Sequence, residues 1–428
     1  MHKQLLSLLL FLPLLGFAQV EQGRLTAQKL CSPEFHGRGY VNGGDSIAAE
    51  FIAAEFKKMG CQFFKNSPFQ PFQFKVNTFS NRMICSVNGK QLIPGKDFVV
   101  DPSCPMYYAD SLKVYKVLTE DLFNGKKLKN KISQGAMNRS KTSVGFAFQF
   151  DLWKGDTLKI AKELAKTLGA SMPIIEIFDT KFTWSVSQEQ SRFPLLQVQS
   201  SAFDCSEDEW NFQIKVDAKT INHRARNVIA YVPARKKSKK YFVFSAHYDH
   251  LGQMGQEAYF PGGNDNASGT ALLLEMARYY VKNPSNVNVV FIAFAGEEVG
   301  LLGSKYYTEN PIFPLQSIQF LFNLDIMGSG EEGATVVNAT LFPEQFEVLK
   351  SINEKQQFLP KIGSRGAAAN SDHYFFTQKG VPAFFMYTMG PNKHYHDVYD
   401  TFEELSFNKF NAIYQLLIDF EKVVSWKR

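Results

Sequence analysis

The sequence predicts an α/β protein: a three-layer αβα domain built on a mixed, largely parallel sheet, carrying an inserted second domain. Three observations predict it. Downstream of residue 206, strand-like and helix-like stretches alternate with regularity. The strand-like stretches are near-continuous apolar runs, such as Val289-Val290-Phe291-Ile292-Ala293-Phe294, as a sheet covered on both faces requires. At 428 residues, the chain is also long enough for two or three units of about 150 residues each.

Taken in order, His2 and Lys3 precede an apolar run over 5–17, broken at Pro13, and then Gly16-Phe17-Ala18-Gln19. That pattern reads as a secretory signal peptide over 1–18, cut after Ala18. The run is shorter than the roughly 20 residues of a membrane span. Export to the periplasm or outside the cell is therefore expected, with no lipid anchor and no integral membrane span. Ile47, Phe51, Ile52, Phe56 and Met59 fall at helical spacing and stop at Gly60, which suits a helix C-cap. Residues 62–100 alternate apolar and polar with breaks such as Asn88-Gly89, a pattern of strands and turns.

Residues 101–205 have a different texture: strands over 143–150, 173–178 and 193–198, and a helix over 156–168 stopped by Gly169. No His, Cys or paired carboxylate there has metal or nucleophile spacing, so the unit reads as a non-catalytic insertion. It divides a domain of 19–100 and 206–428. In that domain strands are expected at 227–233, 241–246, 287–293, 318–324, 334–338 and 382–387. Helices are expected at 268–282, 301–310, 343–357 and 407–424.

Composition excludes several classes. With 47 basic and 41 acidic side chains and 29 Gly, the chain is neither disordered nor collagen-like. Arg235-Lys236-Lys237-Ser238-Lys239-Lys240 lies between two strands without interleaved aromatics, a solvated turn rather than a nucleic-acid site. Cys31, Cys61, Cys85, Cys104 and Cys205 form no Cys-x-x-Cys pair and no disulfide framework, though one bridge has room to form. Many of the 40 Phe, including Phe242, Phe244, Phe291, Phe294, Phe320 and Phe322, fall in the expected strands and read as a buried frame. Phe384 and Phe385 are candidates to line a pocket.

The acids and histidines fall in a pattern. His247-Tyr248-Asp249 follows one strand, Glu297-Glu298 another, and Asp325 closes a third. These are carboxyl ends of expected parallel strands, where ligands bind in open α/β sheets. Asp265 lies in a Gly-rich loop before a helix, and His396 in a loop after the last strand. Singly, each has an ordinary reading as a cap, a solvated ring or exposed charge. Together they would crowd carboxylates that raise one another's pKa unless cations neutralise them. Carboxylate oxygens mixed with imidazole, and no Cys, suit zinc or another borderline divalent ion in a hydrolytic role. Two dications, three ligand carboxylates and one hydroxide balance in charge.

His-Tyr-Asp, Gly-Gly-Asn-Asp-Asn-Ala-Ser-Gly (262–269), Phe-Ala-Gly-Glu-Glu-Val-Gly-Leu-Leu-Gly-Ser (294–304), Asn-Leu-Asp-Ile-Met-Gly (323–328), Ser-Asp-His (371–373) and His-Asp-Val-Tyr-Asp-Thr (396–401) stand in this order. The ordered set resembles the zinc exopeptidase family of bacterial leucyl aminopeptidases, aminopeptidase S and glutamate carboxypeptidase. The resemblance implies two Zn2+ per chain, one on His247, Asp265 and Asp325, the other on Asp265, Glu298 and His396. It implies Glu297 as the general base acting with a metal-bridging hydroxide, and Asp249 as the carboxylate bonded to the far nitrogen of His247. A cis peptide at Asp265-Asn266 is implied as well. His396, rather than His394, has the family's His-x-x-x-Asp-Thr continuation, and Asp372 and His373 are assigned to loop support.

The insertion resembles a protease-associated domain. The implied activity is removal of N-terminal residues from peptide substrates. A glutaminyl cyclase-like or a carboxypeptidase member of the family is the alternative, and a non-catalytic binding relative is the reading from another class, though no ligand is missing here. Neither a Gly-x-Ser-x-Gly elbow nor a His-Glu-x-x-His helix is present. The oligomeric state is left open.

Overall fold

The computed structural model describes residues 20–137 and 143–426; the expected signal peptide lies outside the described residues. Four apolar segments, Asn288–Phe294, Tyr241–His247, Ile318–Leu324 and Ala383–Met389, run parallel and adjacent at the centre of an eight-stranded sheet. Antiparallel strands Lys219–Val232 and Phe69–Thr78 extend one edge, and Gly333–Val337 with Ile362–Ser364 the other. Side chains alternate between two cores as a strand's period of two demands. Phe242, Phe244, Val289 and Phe291 enter one core, and Val243, Val290, Ile292 and Phe294 the other.

The first core is covered by helices Gly44–Met59, Gly269–Lys282, Pro343–Gln356 and Phe410–Trp426, the second by Leu302–Glu309 and His373–Gln378. This is the expected three-layer α/β arrangement. The first helix ends where expected, with Gly60 at φ 91 donating its N–H to the Lys57 carbonyl. Phenylalanines form the frame: Phe320 meets Phe384 at 4.9 Å and 75°, an edge-to-face contact of the kind aromatic pairs favour. Phe384 is thus core, whereas Phe385 reaches the cavity described below.

A second eight-stranded sheet takes its strands from Ile84–Val87 through Glu209–Val216. The dividing points expected at 100 and 205 therefore fall inside this sheet. Ile84–Val87 and Phe98–Val100 find their partners in Glu209–Val216 and Leu195–Gln199, far along the chain, and no local pattern reports such pairing. The two sheets are joined at one place, because Thr78 stands opposite Lys219 in the edge ladder of the first sheet and residues 79–218 leave and return between them. The second sheet has helices on one face and packs its other face on Leu251, Met254, Ala258 and Phe260 of the first domain.

All five cysteines are unbridged. Burial pushes the thiols of Cys31 and Cys61 up to about 12 and that of Cys205 up to about 11. Among the described residues no helix is long and apolar enough to cross a membrane.

Helix Gly269–Lys282 buries one carboxylate, Glu275, which is 1% exposed and accepts from Arg278 Nε at 3.3 Å. Burial outweighs Arg278 and pushes its pKa up to about 7. The folded chain therefore holds this proton between about pH 4.5 and 7 when the unfolded chain has lost it, so stability falls as pH rises through that window. Glu275→Gln should be more stable than the wild type by about 1–3 kcal/mol at pH 8, at about 1.4 kcal/mol per pKa unit, and equal to it at pH 4. Urea titrations at the two pH values measure this; an equal effect at both would remove the ionisation argument.

Candidate metal centre

The end of strand Tyr241–His247 puts His247 at the carboxyl edge of the sheet, fully buried. Its Nδ1 donates to the main-chain carbonyl of Asp249 at 3.1 Å, which leaves Nε2 facing Asp265 Oδ1 at 3.2 Å and Asp325 Oδ1 at 3.3 Å. His396 repeats the arrangement from a loop. Its Nδ1 donates to the Trp184 carbonyl at 2.9 Å, and Nε2 faces Asp265 Oδ2 at 3.1 Å and Glu298 Oε2 at 3.2 Å. Asp265 thus offers one oxygen to each histidine. His396 has φ 54 and Ile326, beside Asp325, φ 57, left-handed conformations that a β-branched residue especially resists. Such strain persists only where the surroundings over-determine the backbone.

The loops are held by hydrogen bonds to their main chains. Asp400 accepts from the N–H of Asn264 at 2.9 Å and of Asp265 at 3.0 Å, which gives the Asp-Thr ending of the last motif a structural role. The Asp265-Asn266 peptide is cis. Asn266 donates to the Leu324 carbonyl at 2.9 Å, tying the Asp265 loop to the strand that ends in Asp325. Arg38, 0% exposed, spreads its guanidinium over the carbonyls of Leu30, Tyr248, Pro261, Gly262 and Asp265. It thereby joins the His247 and Asp265 loops from beneath. Gly262 lets the loop approach closely, since a Cβ there would lie 2.4 Å from the His250 ring.

The charge pattern calls for cations. With the Nδ1 protons committed to carbonyls, each Nε2 presents a lone pair to two carboxylates, an arrangement that only a second ring proton or a metal ion makes favourable. Without metal the rings take the proton. Burial opposes it, but Glu298 and Asp265 push His396 up to about 11, and Asp325 and Glu297 push His247 well above its usual range. Conversely, Glu298 is burdened by burial yet falls to about 2 beside His396, and Asp265 falls well below the carboxylate range between the two rings. Asp325 Oδ1 and His250 Nε2 are buried without a hydrogen-bond partner among the described residues. Oxygen and imidazole donors in this density fit borderline divalent ions such as zinc.

All seven residues singled out from the sequence come together here, and His394 does not: its Nδ1 stands 3.2 Å from Asp397 Oδ2, half-exposed. One expected contact is different. The Asp249 carboxylate is 4.0 Å from His247 Nδ1, too far for a hydrogen bond. It accepts instead from the Tyr40 hydroxyl at 2.5 Å and from the N–H groups of Glu297 at 3.2 Å and Glu298 at 3.3 Å. Asp249 therefore orients the turn that sends Glu298 to His396 and Glu297 into the cavity, while its main chain serves His247. Asp372, assigned to loop support, is fully buried within electrostatic reach of His247, Glu297 and Asp325, and burial pushes it up to about 7.

Three participants were missed. His250 places Nδ1 2.7 Å from Glu298 Oε1 and forms a His-Asp-Glu group with Asp265 and Glu298. Its adjacency to His247-Tyr248-Asp249 was the available signal. Arg38 and Trp184 act on main-chain carbonyls or through one, which no side-chain spacing reveals. The cluster opens on a cavity of about 230 Å³ whose walls include Glu297, Ile326, Arg365, Phe385, Tyr387 and Tyr395.

Known proteins are similar to this chain in part of the sequence and in fold. Residues 227–420 match Peptidase family M28. Aminopeptidase YwaD of Bacillus subtilis (strain 168) is 30% identical over 205 residues, 46% of this chain and 43% of that protein, so the chain matches less than half of this relative's length. Among solved structures, BSAP, a zinc aminopeptidase from Bacillus subtilis, superposes with a TM-score of 0.65 at 19% identity, covering 94% of this chain and 93% of that one. An aminopeptidase from Aneurinibacillus sp. strain AM-1 gives 0.60 at 22% identity over 94% and 92% of the two chains. The likeness to both structures is one of fold. The stretch that matches the family model contains His247, Asp265, Glu297, Glu298, Asp325 and His396.

Proposed function

We propose that the chain is a di-zinc aminopeptidase that removes N-terminal residues from peptides, and that it works outside the cytoplasm. One observation carries the reading: Asp265 turns one oxygen to His247 and the other to His396, the disposition of a carboxylate shared by two ions. His247, Asp265 and Asp325 would hold one ion, and Asp265, Glu298 and His396 the other. Zinc in that position lowers the pKa of water and polarises a carbonyl. The chain's own residues do the rest. Glu297 lines the cavity beside the cluster, and burial, with Glu298 and Asp372 near, holds its carboxyl well above the usual range despite His247. A carboxylate with raised affinity for a proton suits the task of taking one from the attacking water and returning it to the leaving amine.

Tyr395, Phe385 and Tyr387 give the cavity an aromatic wall. The small cavity admits the end of a peptide rather than the middle of a folded chain. The insertion, with parallel strands Tyr107–Lys116, Ser143–Phe148, Ile174–Phe178 and Leu195–Gln199, is read as a protease-associated-like domain. Export rests on the apolar run over 5–17 with its basic start.

The test is a panel of aminoacyl-anilides and of peptides with free or acetylated N-termini, assayed with and without chelator beside metal analysis. Hydrolysis of the free forms alone, lost on chelation and restored by Zn2+ with two ions per chain, is the expected result. Turnover of acetylated peptides would favour the carboxypeptidase reading. One ion per chain with cyclisation of N-terminal glutamine would favour the cyclase.

A further inference from the structure

The segment between strands Ile174–Phe178 and Leu195–Gln199 of the second sheet does not stay with that sheet. Over 181–188 it has no regular secondary structure and crosses to the metal centre of the first domain. There it touches the two loops that carry Glu298 and His396. Trp184 exchanges two main-chain contacts with His396: its N–H donates to the His396 carbonyl at 2.8 Å, and its carbonyl accepts from His396 Nδ1 at 2.9 Å. Lys181 Nζ donates to the Lys393 carbonyl at 2.7 Å. Gln188 Nε2 donates to the carbonyl of Val299, the residue after Glu298, at 3.1 Å. No comparable contact runs from this segment to Asp325, and His247 takes its Nδ1 acceptor from its own loop.

The segment is itself anchored. The Trp184 ring is 4% exposed, stacks on Phe260 at 4.7 Å and 17°, and donates Nε1–H to the Val100 carbonyl at 2.8 Å. We propose that residues 181–188 of the inserted domain are a positioning element for the second metal site, with the Trp184 carbonyl fixing the His396 tautomer so that Nε2 is free to bind the ion. The insertion then completes the centre rather than only bordering it. A carbonyl that orients a ligand imidazole is an outer partner whose loss typically lowers metal affinity about 10–100-fold. Because the segment serves one pair of ligands and not the other, the effect is confined to one of two sites.

The inference rests on the two-metal reading, and the experiment separates the two. In the metal-free full chain labelled with 15N-histidine, the His396 Nδ1–H is expected as a slowly exchanging signal, assigned by its loss in His396→Gln. Trp184→Ala should bring it into fast exchange with water. In calorimetric titration with Zn2+, Trp184→Ala should weaken one site about 10–100-fold and leave the other unchanged. Trp184→Phe, which keeps the ring stacking, should stay within about three-fold of the wild type by the same reasoning. Gln188→Ala, at an exposed position, should weaken the same site without threatening the fold, and it stands in if Trp184→Ala does not fold. Equal weakening of both sites, or an unchanged N–H signal with unchanged affinities, overturns the proposal. If the wild type binds a single ion, the two-metal reading falls, and the N–H signal alone decides whether the segment positions His396.

Discussion

Glu297→Gln should retain both ions and the fold and lose about 10²–10⁴-fold or more in kcat, the range that general-base catalysis contributes. The glutamine keeps the shape and a hydrogen-bonding oxygen but cannot take up a proton. The neighbouring Glu298 cannot replace it, because Glu298 Oε2 is committed to His396 at 3.2 Å and Oε1 to His250 at 2.7 Å. The turn itself should be undisturbed, since Asp249 holds residues 297 and 298 by their main-chain N–H groups. Steady-state kinetics beside metal analysis and a thermal melt decide the matter. A variant with two ions, a wild-type melt and undiminished kcat would remove Glu297 from the mechanism.

Arg38→Met should destabilise the fold by about 4 kcal/mol or more. Deleting the guanidinium strips hydrogen bonds from five carbonyls, of which that of Gly262 keeps another donor, the Ala267 N–H, and a buried acceptor left without a partner costs about 1–3 kcal/mol. No apolar side chain offsets that, because the acceptors are main chain and cannot leave. Arg38→Lys should fall between, with three donors on a flexible stem in place of a planar fork of five. Urea unfolding of the metal-free and zinc-loaded proteins measures both. The two loops tied by Arg38 carry His247 and Asp265, so the loaded protein should lose more than the metal-free one. A loss below about 1 kcal/mol would mean that water or repacked side chains satisfy the five carbonyls.

Much of the first domain was legible because its central strands are buried on both faces and so write themselves as apolar runs. Strand Ile318–Leu324 lies where the pattern puts it. Strand Lys219–Val232 was expected to begin only near residue 227, since its first half is an edge with Lys219, Thr220, Asn222 and Arg224 turned largely to solvent. The candidate ligands were legible for a related reason: each stands at or just beyond a strand end, or in a short loop with its own residue signature. What was not legible passes through the main chain. The carbonyls of Trp184 and Asp249 set both imidazole tautomers, yet any residue type carries a carbonyl. The boundaries of the insertion were misjudged because its outer strands pair across most of its length.

Bringing Thr78 opposite Lys219 across a loose loop of residues 79–218 would cost about 3 kcal/mol more in entropy than a four-residue turn does. The folded insertion cancels most of this difference. Its own ladder sets Ile84 opposite Lys215, so that only residues 79–83 and 217–218 remain to bridge the two sheets. The inserted domain therefore behaves, for the strand pair that flanks it, as a very large hairpin turn. Loosening its sheet would be felt first as fraying of the host's edge strands Phe69–Thr78 and Lys219–Val232, well before the parallel strands at the centre are disturbed.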